Sequence, residues 1–314
     1  MRLVFAGSPS FATTVLEGLV SRHEVCLVLT QAPEAVGRGR RLRPTDVALA
    51  AERLKLPVLV PRSLRAPHLL KMIQATGADA AVIAAYGRLL PASWLALFPL
   101  GALNVHASLL PRWRGASPIA HAILAGDAQT GVSIMRMSAR LDDGPVYRRC
   151  PEPILASDTA GALGERLARL GTRCLLEVLD TLATNPTLVP DDQNEDDATY
   201  APRLRKEDGH LDWTLGAEEL ERLVRAFTPW PRTYAFLDLT HPANRLVVHE
   251  AIAFVEDSAS PPGMIIAASE EGIDVACGSG RLRITQLQRS GKPCLKAGDF
   301  LRGWRTPLLG RRLL

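Results

Sequence analysis

The sequence predicts an α/β domain with a mainly parallel sheet, followed by a smaller domain that is a β-barrel. Three observations lead to this prediction. Short apolar runs alternate with amphipathic stretches in the first half, a stretch rich in Pro, Asn and Asp follows at residues 184–199, and short strands at regular spacing come after it. With 314 residues, of which 47% are hydrophobic, the chain has enough apolar side chains for two cores.

The first half predicts strands and helices in alternation. The strands are expected at residues 2–7, 24–30, 57–61, 79–86 and 101–107, and the helices at 11–21, 44–55 and 64–76. These strands are almost wholly apolar, which is typical of a parallel sheet covered by helices on both faces. We therefore expect a Rossmann-like sheet, which binds its ligands beyond the carboxyl ends of the strands.

The pattern changes after Gly126. Residues 130–138 and 147–154 alternate between apolar and polar, with a turn at 141–144 between them. Such a pair predicts an antiparallel addition to the sheet. One long helix or two shorter helices are expected at 157–183.

The acidic run DDQNEDD within residues 184–199 predicts a solvated linker, because like charges repel one another. Beyond it we expect a helix at 217–226 and strands at 234–239, 246–255, 264–269, 273–277 and 282–287. Short strands at this spacing are typical of a small OB-like barrel. The predicted boundaries are 1–189 for the catalytic domain, 190–205 for the linker and 206–314 for the second domain.

Composition excludes several classes of protein. The five cysteines lie far apart and form no CxxC pair, which argues against a zinc ribbon or a disulfide framework and predicts unpaired thiols. No apolar run reaches the length of about 18 residues that a membrane span needs. The first strand begins at Arg2 and leaves no room for a signal peptide, so a cytoplasmic protein is expected. The segment AGSPSFA lacks the spacing of a dinucleotide-binding loop, and no metal site is predicted.

Two short motifs carry candidate chemistry. Asn104 and His106 are two residues apart on a predicted strand, so their side chains share one face. Both can donate a hydrogen bond to one oxygen, as acyl transfer requires. Asp142 and Asp143 lie in the predicted turn, and a carboxylate near an imidazole fixes its tautomer and assists proton transfer. From the residues alone, a structural histidine and an ordinary Asp-Asp-Gly turn stay open as alternatives.

The segment NVHASLLPRWRGASPIAHAILAGDAQTGVSIM, followed by LDDG, resembles the folate-dependent formyltransferase family. The resemblance implies that Asn104, His106 and Asp142 are the active-site trio, with Asp143 at the variable position. It also implies that 10-formyltetrahydrofolate is the co-substrate and that no metal takes part. Folate contacts are then expected from a set of six residues on two loops: Ser108, Leu109, Leu110, Pro111, Tyr86 and Gly87.

Flanking motifs such as FAGSP at residues 5–9 and PWP at 229–231 resemble the branch of this family that formylates initiator methionyl-tRNA. The resemblance implies that Arg38, Arg40 and Arg41, in a flexible basic loop, contact the tRNA, although Glu34 and Ala35 depart from the family pattern there. Basic residues of the OB-like domain are expected to add to this surface: Arg281, Arg283, Arg289, Lys292, Lys296, Arg302 and Arg305. A monomer that does not contact membranes is expected.

Three other functions compete with this one. The same trio could formylate a small amine such as an amino-sugar nucleotide, but that acceptor would not need the basic loop or the second domain. A hydrolase that releases formate would not need them either. An RNA-binding protein with a degenerate enzyme domain is disfavoured because Asn104, His106 and Asp142 are all present.

Overall fold

The computed structural model describes residues 1–36, 41–237, 244–256, 258–304 and 306–314. The chain forms two compact units. Unit 1 comprises Met1–Pro118, Gln129–Pro153 and Gly164–Pro202, and unit 2 comprises Ile119–Ala128, Ile154–Leu163 and Arg203–Leu314.

Unit 1 is built around a seven-stranded sheet. The strands up to residue 201 are β1 Arg2–Gly7, β2 Glu24–Leu29, β3 Glu34–Val36, β4 Arg41–Arg43, β5 Val58–Leu59, β6 Ala80–Ala84, β7 Ala102–His106, β8 Arg114–Gly115, β9 Gln129–Arg136, β10 Val146–Pro153 and β11 Tyr200–Ala201. The sheet order is β10-β9-β7-β6-β1-β2-β5, with the last five parallel and with β9 and β10 antiparallel. The predicted parallel sheet with an antiparallel addition is thus confirmed.

Helices connect these strands. They are α1 Ser10–Val20, α2 Asp46–Arg53, α3 Pro67–Ala75, α4 Ala92–Leu95, α5 Pro118–Leu124 and α6 Ala160–Thr184. The start of α2 is capped by the Thr45 hydroxyl, which accepts a hydrogen bond from the Ala48 N–H at 3.1 Å. In α6, a Cβ at Gly171 would lie 2.8 Å from a methyl of Val105 and 3.2 Å from one of Val132. Glycine therefore allows α6 to pack closely against β7 and β9.

On either side of residues 37–40, β3 and β4 pair as an antiparallel ribbon in which Glu34 lies opposite Arg43. One expectation for unit 1 is wrong. The predicted unpaired thiols include two that are joined, since Cys150 of β10 forms a disulfide with Cys174 of α6, 24 positions later. Both side chains are buried where α6 packs on the sheet, a proximity that spacing along the chain does not reveal.

Unit 2 contains a six-stranded antiparallel sheet. Its strands are β12 Thr233–Phe236, β13 Arg245–Phe254, β14 Ile265–Ser269, β15 Gly272–Ala276, β16 Arg281–Arg289 and β17 Cys294–Lys296, and its further helices are α7 Ala217–Ala226 and α8 Ala297–Arg302. The strand order is β12-β13-β16-β15-β14, and β17 pairs with β16. Leu220 and Val224 of α7 are buried in the core of this sheet.

The two outer strands of that sheet are joined by the segment at residues 310–314. Ile265 of β14 donates to the Arg311 carbonyl at 2.8 Å, and Phe236 of β12 donates to the Leu314 carbonyl at 2.8 Å. The sheet is closed in this way, and the predicted small barrel is confirmed. Among the described helices of both units, none has the combination of length and hydropathy that crossing a membrane requires.

Candidate active site

Asn104 and His106 lie on β7, between β6 and β9. Opposite Asn104 are Ile83 and Met135, and opposite His106 is Ser133. Because strand side chains alternate, the amide and the imidazole project from one face, near the carboxyl end of the strand. Both are buried, with exposed fractions of 9% and 5%. Within the described ranges, no group is hydrogen-bonded to the Asn104 side chain, so its amide is left with donor capacity for a ligand.

The His106 ring is held by a backbone carbonyl. Its Nε2 lies 2.9 Å from the carbonyl oxygen of Trp113, which can only accept, so Nε2 carries the hydrogen. The other nitrogen, Nδ1, faces Asp142 and lies 3.7 Å from its Oδ2. The ring nitrogen that remains for proton transfer is therefore the one beside the carboxylate.

Asp142 is held in the left-handed region of backbone conformation, with a φ of 48°. Its Oδ2 accepts a hydrogen bond from the Gly115 N–H at 2.9 Å, which fixes the carboxylate beside the imidazole. Asp143 is engaged elsewhere, with Ser138 and with Arg140 at 2.5 Å. Of the two aspartates, the structure brings the one chosen from the sequence next to His106.

The predicted folate loop at residues 108–111 is tightly fixed. The Ser108 hydroxyl donates to the Arg112 carbonyl at 2.6 Å, and the Ser133 hydroxyl donates to the Ser108 carbonyl at 2.7 Å. Ser108 and Leu110 are fully buried, so their side chains support the loop. Leu109 and Pro111 are half-buried and keep surface for a ligand.

The second predicted folate loop contains Tyr86 and Gly87. The ring of Tyr86 is buried in a core cluster with Leu90 and Trp94, and burial raises the pKa of its hydroxyl. Gly87 has a φ of 71°, and a Cβ there would lie 2.7 Å from Nε2 of Gln31, which donates to the Tyr86 carbonyl. Contacts of this loop with a ligand are therefore expected from Gly87 and the backbone rather than from the Tyr86 ring.

A cavity of about 410 Å³ adjoins this loop. Arg62, Arg65 and Arg88 line it, together with Ser63, Leu64, Leu89 and Pro91. Arg88 is anchored, since it donates to the carbonyls of Pro61 at 2.6 Å and Arg62 at 2.9 Å. Three arginines in its lining make the cavity basic, which suits an anionic ligand.

The predicted tRNA contacts are only partly described. Arg38 and Arg40 lie outside the described residues, and Arg41 is the first residue of β4. In unit 2, Arg281 and Arg283 both bind the buried carboxylate of Asp274, at distances of 2.5 Å and 2.6 Å. These two arginines are therefore engaged within the barrel, and Arg305 lies outside the described residues.

Sequence reasoning missed the residues that fasten this site. Arg114 is 1% exposed, and its guanidinium binds both carboxylate oxygens of Glu195 at 3.0 Å. Gln193 donates to the carbonyls of Asp142 and Gly144. A buried arginine requires an acidic partner, but the sequence does not reveal which acidic residue that is. Glu195 lies 81 positions after Arg114.

Among the described residues, no three His, Cys, Asp or Glu side chains cluster as a metal site would require.

Comparison with known proteins gives matches along most of the chain. The family described as Formyl transferase matches residues 1–179, and Formyl transferase, C-terminal domain, matches residues 203–305. A methionyl-tRNA formyltransferase of Marinobacter nauticus is 43% identical over 310 residues, which cover 98% of each chain. One from Xylella fastidiosa is 46% identical over 301 residues, covering 96% of this chain and 97% of the relative.

The fold is shared with solved structures of lower identity. HypX from Aquifex aeolicus, solved in complex with tetrahydrofolic acid, superposes with a TM-score of 0.65 at 18% identity. The alignment covers 98% of this chain and 50% of HypX.

Proposed function

This chain belongs to the formyl transferase family, and we propose that it transfers the formyl group of 10-formyltetrahydrofolate to the α-amino group of initiator methionyl-tRNA. Relatives that carry the name methionyl-tRNA formyltransferase match it over nearly their whole length, including the second domain. The observation that carries the proposal is the pairing of His106 Nδ1 with Asp142 Oδ2, at 3.7 Å, on the face of β7 that also presents Asn104.

The attacking group in this reaction is a neutral amine. An α-amino group has an ordinary pKa of about 7.7–8.0, and the neighbouring ester of an aminoacyl-tRNA lowers it further. A large fraction is therefore unprotonated near neutral pH and needs little activation. The chief tasks of the enzyme are to align amine and formyl carbon and to stabilise the oxygen that becomes negative.

We assign these tasks to the trio. The Asn104 amide donates to the formyl oxygen as the amine nitrogen bonds to the formyl carbon. His106, with Nε2 committed to the Trp113 carbonyl, acts through Nδ1, which donates to the same oxygen when protonated. Asp142 stabilises that protonated ring and assists transfer of the amine's proton to the folate nitrogen as the carbon–nitrogen bond to folate breaks. No formyl group bonded to the protein is needed.

The remaining assignments follow from the substrates. We propose that the loops at 86–87 and 108–111 contact the folate, and that the basic cavity next to the first of these loops receives its glutamate carboxylates. We propose that the tRNA is contacted by Arg38, Arg40 and Arg41. We also propose that the enzyme is a monomer and works in the cytoplasm. We retain a catalytic domain at 1–189 and a tRNA-binding domain at 206–314, joined through 190–205.

The test is a formylation assay with labelled 10-formyltetrahydrofolate. Initiator methionyl-tRNA is the acceptor, an elongator methionyl-tRNA is the first control, and an amino-sugar nucleotide is the second. We expect label on the initiator tRNA and little on either control. Label on the sugar alone would support the small-amine alternative, and release of formate without any acceptor would support the hydrolase.

A further inference from the structure

The acidic stretch predicted as a solvated linker is bound to the active-site loops. We call residues 191–201 the strap. At its start, Asp191 and Val146 exchange backbone hydrogen bonds of 2.7 Å and 3.0 Å. At its end, Tyr200–Ala201 pairs in parallel with Arg114–Gly115. The strap is therefore bonded at one end next to the turn of Asp142 and at the other end to Arg114–Gly115, beside the Trp113 carbonyl that contacts His106.

Gln193 holds the loop of Asp142. Its Nε2 donates to the carbonyls of Asp142 at 2.8 Å and Gly144 at 2.7 Å, and its Oε1 accepts from Nε of Arg114 at 3.1 Å. Both ends of the amide are thus engaged. Asp142 has a positive φ, which a residue other than glycine adopts at a cost, so these bonds restrain an unfavourable backbone.

The strap also holds the peptide that orients His106. The Trp113 carbonyl, which accepts from His106, and the Arg114 N–H belong to one planar peptide group. That N–H donates to the Thr199 carbonyl at 2.8 Å, and the Trp113 N–H donates to the Thr199 hydroxyl at 2.9 Å. Movement of the strap would therefore move the acceptor for His106 Nε2.

Gly115 completes the connection. Its N–H holds the Asp142 carboxylate, and its φ of 118° places the chain so that a Cβ would lie 2.6 Å from the Ala201 carbonyl oxygen. The strap thus contacts the backbone on both sides of the imidazole–carboxylate pair. Arg114 and Glu195, bonded through two oxygens, fasten the middle of it.

We propose that Gln193 is a positioning residue for the formyl transfer and that the strap sets the distance between His106 and Asp142. This inference rests on the proposed function. It assigns Gln193 no contact with either substrate, because its amide is fully engaged with Asp142, Gly144 and Arg114. Its loss is expected to lower the rate of the chemical step while substrate binding is retained.

The experiment compares Gln193→Met, Gln193→Glu and Asp192→Ala in the formylation assay. Methionine keeps the length of the side chain and removes the amide. Glutamate keeps an acceptor for Arg114 but presents oxygens to the carbonyls of Asp142 and Gly144. Asp192 is an exposed neighbour on the strap and serves as the matched control.

We expect kcat to fall by about 10- to 100-fold in both Gln193 variants, the scale for a misplaced catalytic group, with each KM changed by less than about 2-fold. Asp192→Ala is expected to match the wild type. In an Asp142→Ala background, Gln193→Met is expected to add little further loss, because the group that it positions is already gone. If Gln193→Met lowered kcat by the same factor in the Asp142→Ala background as in the wild type, the proposal would be overturned. A wild-type kcat in folded Gln193→Glu would overturn it too.

Hydrogen exchange separates this inference from the proposed function. The Arg114 and Gly115 amides are expected to exchange faster in Gln193→Met and Gln193→Glu than in Asp192→Ala. If the wild-type chain formylates nothing, the proposed function fails while the exchange rates still test the strap. Unchanged exchange at these two amides would overturn the positioning role.

Discussion

Replacing Asn104 by alanine is expected to separate catalysis from stability. The side chain is 9% exposed, and its amide is hydrogen-bonded to none of the described residues. Its removal leaves no buried partner unsatisfied, so the free energy of unfolding should change by only about 1 kcal/mol. Loss of one donor to a developing oxyanion raises the activation free energy by about 2.7–4 kcal/mol, which is a 10²- to 10³-fold loss in kcat.

The neighbouring Leu103 provides the opposite case. It is 0% exposed and points to the other face of β7. Leu103→Ala should lower the free energy of unfolding by about 2–5 kcal/mol through the lost burial and the cavity left behind. Its direct effect on the chemical step should be small, because the side chain faces away from Asn104.

Asn104→Ala should therefore have the lower rate in one assay, and Leu103→Ala should have the lower stability in the other. Single-turnover formylation, with enzyme in excess over initiator methionyl-tRNA, gives the rate of the chemical step. Urea-induced unfolding gives the stability. A folded Asn104→Ala variant with a near-normal single-turnover rate would refute its assignment as an oxyanion donor. A large loss of stability in the same variant would indicate a structural role instead.

Three further predictions concern the tRNA, an ion pair and the cysteines. Arg38→Ala should weaken tRNA binding and reduce the slope of log K against log salt by about one, with folate affinity unchanged; an unchanged slope would remove Arg38 from the interface. Arg114 lowers the pKa of Glu195 from its ordinary value of 4.5, so the pair stabilises the fold above that pH and the contribution is lost as pH falls through the lowered pKa. The stability difference between wild type and Glu195→Gln should therefore be present at about pH 7 and vanish in strong acid; a constant difference would contradict the pairing. Denatured, unreduced protein should show three thiols and reduced protein five, and reduction of Cys150–Cys174 should lower stability by about 3 kcal/mol; five thiols before reduction would contradict the disulfide.

The elements that could be predicted are those with a strong local pattern. The strand expected at 79–86 is β6 at Ala80–Ala84, and the helix expected at 157–183 is α6 at Ala160–Thr184. Their apolar runs and helical periodicity are sufficient because burial decides both. The common face of Asn104 and His106 follows from strand geometry alone.

The features that could not be predicted depend on contacts distant along the chain. The carboxylate of Glu195 is more than half exposed, so the acidic run looks solvated, although it binds a buried arginine. The ribbon of Glu34–Val36 with Arg41–Arg43 has strands of three residues, which are too short for a periodic signal. The disulfide partners were unpredictable because spacing leaves every pairing of the five cysteines open.

The strap has a consequence for synthesis of the chain. Every strand of the seven-stranded sheet has been made once residue 153 leaves the ribosome, but Gln193, Glu195 and Thr199 follow some 40 residues later. Parallel strands can pair in this interval while the Asp142 turn and the Trp113 carbonyl lack their restraints. A nascent chain that stops before residue 191 therefore contains all seven strands but lacks the residues that restrain Asp142 and Trp113, so these restraints are added late in folding.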